Sequence, residues 1–78
     1  MVREEKLLRS AVAYMVGNAE DNLHRAKAAF KRYTPEQMQE QHGESGRTRK
    51  AIVDGYEEHL FDCKSAQALL NQLLGESK

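Results

Sequence analysis

His59 and Cys63, two residues of types that bind metals, stand four apart, so on a helix they share one face and could reach a single ion. Zinc takes four ligands, and His24 falls on the outer side of its own helical pattern while His42 lies in a polar stretch. The pair is therefore read as a small thiol beside a core histidine, and neither a metal nor another cofactor is expected. The segment Gly43-Glu44-Ser45-Gly46-Arg47-Thr48-Arg49-Lys50 sets glycines and cations ahead of a helix start, which is the composition of a phosphate cradle. It lacks the G-x-x-x-x-G-K spacing and no strand leads into it, so Ser45 is expected simply to cap the next helix. His59 as a general base would have no nucleophile elbow, oxyanion element or carboxylate pair to work with, and the chain is not expected to be an enzyme.

Helices must position these side chains. From Arg3 to Tyr33 there is no proline, and Leu8, Val12, Met15, Ala19, Ala26, Ala29 and Tyr33 recur four and three apart, with Asn22 in the missing place. The spacing predicts a helix over 3–33 whose seam is widened by Val16, Leu23 and Phe30. Thr34-Pro35-Glu36-Gln37 then combines a cap, a proline at the first helical position and a glutamine three residues on, which announces a short new helix within a polar linker, 34–46. A second heptad seam, Ile52, Tyr56, His59, Cys63, Ala66, Leu70 and Leu73 with Val53, Leu60 and Leu74 beside it, predicts a helix over 47–74, and Gly75 is a natural stop.

An unbroken helix running from Pro35 is the alternative. Antiparallel alignment favours two matched helices, because it sets Leu8 against Leu73, Val12 against Leu70, Met15 against Ala66 and Ala19 against Cys63. The expected fold is thus all-α, an antiparallel helical hairpin in one domain, 1–78. The same alignment brings Asn22 opposite His59 and predicts a buried polar layer that fixes register.

Residues 7–16 are apolar almost all round, with Leu7, Ala11 and Tyr14 forming a second stripe, and Leu69, Leu73 and Leu74 crowd the same end of the hairpin. Two helices cannot cover that surface, so these six residues are expected at an oligomer interface, two copies making a four-helix bundle. The chain carries twelve basic and twelve acidic residues, which argues against a uniformly basic nucleic-acid binder, yet residues 25–50 hold seven cations against three carboxylates. Arg25, Lys31, Arg32, Arg47, Arg49 and Lys50 are accordingly expected to form a partner-binding basic end, on a linker left mobile because Met38 is its one large apolar side chain. One cysteine excludes an internal disulfide framework and favours the cytosol, and the apolar run 11–16 is too short for a secretory core or a membrane span. The functional expectation is a non-enzymatic protein–protein interaction module of the adaptor, chaperone or inhibitor kind, a homo-oligomer that meets a protein partner. The alternative is a nucleic-acid-binding or transcription-regulating dimer using the basic end.

Overall fold

A computed structural model describes residues 3–76. Helix α1 spans Arg3–Ala29, the single-turn α2 Pro35–Met38, and α3 Arg49–Glu76. The long helices pack against each other as a hairpin measuring 52 × 20 × 16 Å, and the described residues contain no strand beyond an isolated bridge between Gln41 and Thr48. Among the described residues no helix is long and apolar enough to cross a membrane.

Helix α1 ends four residues short of its predicted limit. The Phe30 amide still bonds the Ala26 carbonyl at 3.1 Å, but Lys31 and Tyr33 bond Ala28 and Phe30, a tighter winding that closes the helix. Thr34 then takes extended backbone, its hydroxyl accepting from the Gln37 amide while Gln37 accepts from the Thr34 amide, the capping box that starts α2. Helix α3 begins at Arg49, where the Thr48 hydroxyl accepts from the Ala51 amide at 3.0 Å. Thr48 is therefore the cap in place of the expected Ser45, whose hydroxyl instead donates to the His42 carbonyl at 2.7 Å inside the linker turn. Gly75 does not stop α3, which continues to Glu76.

The register is the antiparallel one. Ala19, 1% exposed, and Cys63, 3% exposed, meet in the core with Val16 and Leu60. Along one side the pairs Arg9–Asn71 at 2.7 Å, Glu20–Lys64 at 3.9 Å and Lys27–Glu57 at 3.8 Å bridge the two helices.

Of each predicted seam one half is covered, Val12, Ala19 and Ala26 in α1 and Ile52, Cys63 and Leu70 in α3, while the other half gives way to the residues expected to flank it. The covered seam positions are Val12, Val16, Ala19, Leu23 and Ala26 in α1, Phe30 just past its end, and Ile52, Val53, Leu60, Cys63, Gln67, Leu70 and Leu74 in α3. Leu8, Met15 and Asn22, with His59, Ala66 and Leu73, are exposed. Each helix carries two adjacent heptad columns, and the α1 column chosen for the inside stays apolar from Val12 to Phe30. The rejected columns would have buried an amide and an imidazole in a seam too thin to satisfy them.

Candidate interaction surface

Asn22 and His59 line one groove, so the columns that carry them face the same side of the hairpin. Met15 and Leu8 lie one and two heptads before Asn22, and Ala66 and Leu73 one and two heptads after His59. One broad face therefore runs from an apolar open end to a polar groove near the linker. Leu7, Ala11, Tyr14 and Leu69 are exposed at the open end, with Tyr14 at 72%. Of the six residues expected at an oligomer interface, Leu74 departs: it is half-buried in the inner column, because the rotation that exposes Leu73 turns Leu74 inward. Sequence reasoning missed Phe61, 69% exposed on the side fastened by the ion pairs, where it borders a hollow with Leu23 and Leu60. It belongs to neither heptad column, and its only signal is an aromatic in a polar stretch.

The linker end is organised around Arg49. Its guanidinium lies 4.0 Å over the Tyr33 ring, donates to the Gln37 carbonyl at 2.9 Å and to Glu40 Oε1 at 3.2 Å, and reaches His42 Nδ1 at 3.5 Å. The Arg49 amide also bonds the Glu40 carbonyl. Beneath it the buried Phe30 ring meets Tyr33 and His42 edge-on at 5.9 and 5.0 Å. Gly43 and Gly46 adopt φ of 57° and 76°, the left-handed backbone this turn needs.

This geometry revises the basic end. The Arg49 side chain is 15% exposed, and its Nε and Nη1 are turned to partners within the chain. Arg25 is paired with Asp21 at 3.0 Å and Lys50 with Asp54 at 2.7 Å. The hydrogen bond that Lys50 donates to Asp54, reinforced by the carboxylate's charge, raises the pKa of the Lys50 ammonium above its ordinary value. Lys31, Arg32 and Arg47 are exposed and form no ion pair among the described residues.

The polar layer is corrected as well. Asn22 and His59 do lie together, but in the single chain both are exposed at the groove, which has a volume of about 440 Å³. They stay out of the core because the inner columns fill it without them. His59 Nε2 is 3.7 Å from the buried Cys63 Sγ, and the described residues hold no cluster of three metal-ligating side chains. No protein-family model, curated protein or solved structure matches the chain.

Proposed function

We propose that the chain is a non-enzymatic protein–protein interaction module, a small adaptor, chaperone or inhibitor that works as a homodimer with its helices in a four-helix bundle. The observation that carries this reading is the face left uncovered by the hairpin. The chain exposes 6083 Å², whereas a compact monomer of its mass exposes about 4,800 Å². The surplus exceeds the roughly 800 Å² that each partner buries in a standard interface. Among the described residues only Val16, Ala19, Phe30 and Cys63 are buried apolar residues, while Leu7, Leu8, Met15, Leu69 and Leu73 stand about half exposed. A second copy laid on the apolar open-end half of that face, short of the groove, supplies the core that one hairpin lacks. The unpaired thiol of Cys63 fits a reducing cytosol.

The nucleic-acid reading has weaker support. Three unpaired cations are fewer than the roughly 6–10 phosphate contacts of a strong DNA binder. Tyr33, an aromatic at the linker end, is covered by Arg49 and cannot stack on a base. Sedimentation equilibrium tests the proposal: a mass of two chains that persists at micromolar concentration is expected, and a single-chain mass throughout would reject it.

A further inference from the structure

We propose that the groove beside the linker binds a carboxylate-bearing segment of a partner protein, anchored by one apolar side chain. This rests on the reading of the chain as an interaction module and names the chemistry of its partner. The groove at Asn22 and His59 adjoins a second hollow of about 370 Å³, and Asn22, Ile52 and Tyr56 line both. In a chain with twelve acidic residues, neither lining contains a carboxylate. Arg47 stands at the rim without an ion pair among the described residues, and its planar fork matches a carboxylate in two parallel hydrogen bonds. Ile52, Tyr56 and Phe30 supply an apolar floor, so the complementary group is an acidic side chain next to an aliphatic or aromatic one.

Gly55 points to the same use. It lies inside α3, where glycine costs about 1 kcal/mol against alanine. Its φ is not positive, and a Cβ built on it would meet no atom within 4 Å, so neither backbone conformation nor packing within the chain calls for it. What its bare Cα does is keep the groove open. Gly17 also has free space above it but lines neither hollow.

The test is an amide-shift titration of the ¹⁵N-labelled full chain with the blocked peptide Glu-Glu-Leu-Glu-Glu, its lysine counterpart, inorganic phosphate and oligothymidylate. Shifts from the acidic peptide should centre on Asn22, Gly55, Tyr56 and His59. Its affinity should fall at least about ten-fold in Arg47→Glu and in Gly55→Leu, with circular dichroism showing that helicity is kept, and change little in Lys31→Glu. Tyr14→Glu, which is expected to weaken self-association, should bind like the parent chain, so that loss of the dimer and loss of the groove are separable. The proposal is overturned by absent shifts at millimolar peptide, by equal binding of the lysine peptide, phosphate or oligothymidylate at these residues, or by parental affinity in both groove variants.

Discussion

The two ends of the hairpin are stabilised by opposite physics. At the open end Leu7, Leu8, Tyr14, Met15, Leu69 and Leu73 lie exposed, and the polar links nearby are Arg9 with Glu5 and Asn71. At the linker end little apolar surface exists, yet Arg49 ties Tyr33, Gln37, Glu40 and His42 into one closed arrangement. Apolar burial is non-directional, so a greasy face accepts any matching surface, as the proposed dimer requires. Hydrogen bonds and ring contacts demand one geometry, so the linker satisfies itself. A segment poor in apolar residues thereby gains polar partners where apolar ones are lacking.

The largest expected effect lies at the open end. Tyr14→Glu puts a charge on the apolar face and should weaken self-association by roughly 100-fold, about 3 kcal/mol, while far-ultraviolet circular dichroism of the dilute chain is unchanged. Unaltered mass by light scattering would break the contrast. At the other end Arg49→Ala should cost about 2–3 kcal/mol in urea unfolding, through lost charge-assisted hydrogen bonds and the contact with Tyr33, and Arg49→Lys should recover only part. A cost under about 0.5 kcal/mol would mean that the linker arrangement contributes nothing to stability.

Two glycines sharpen the contrast further. Gly46→Ala forces a side chain into left-handed backbone and should destabilise by roughly 1–2 kcal/mol. Gly17→Ala, on a helix with open space, should stabilise by about 0.5–1 kcal/mol. Thermal melts of both variants moving in the same direction would contradict the assigned backbone. The smallest effect is the surface pair at the start of α3. Because the Lys50 pKa is raised in the folded chain, its contribution is fully present below the unfolded value and is lost as pH rises through the folded one. Asp54→Ala should return Lys50 toward its ordinary titration, read by NMR of its side-chain nuclei, with little change in the melt at neutral pH.

Much of the architecture was legible in the sequence. Heptad spacing marked both long helices, Thr34-Pro35 marked α2, and antiparallel alignment placed Ala19 against Cys63. The start of α3 was missed by two residues because Ser45 and Thr48 are both capping types, and only the turn set by Gly43 and Gly46 decides which hydroxyl reaches a helical amide. Arg49 was grouped with the partner-facing cations because charge is visible in a sequence while its internal partners, up to sixteen residues away, are not.

The sequence by itself determined helix content, the break between the long helices and their register, since each follows from local spacing or from matching two lists of apolar residues. Tertiary structure alone decided which of two adjacent heptad columns turns inward. Val16, Leu23 and Leu60 took the seam, and Leu8, Met15, Asn22 and His59 were left outside. The columns differ by a modest rotation about each helix axis, and either presents a periodic apolar stripe. The choice rests on packing along the whole length of both helices at once, where the α1 positions from Val12 to Phe30 are all apolar and Gln67 is the one amide on the covered side of α3.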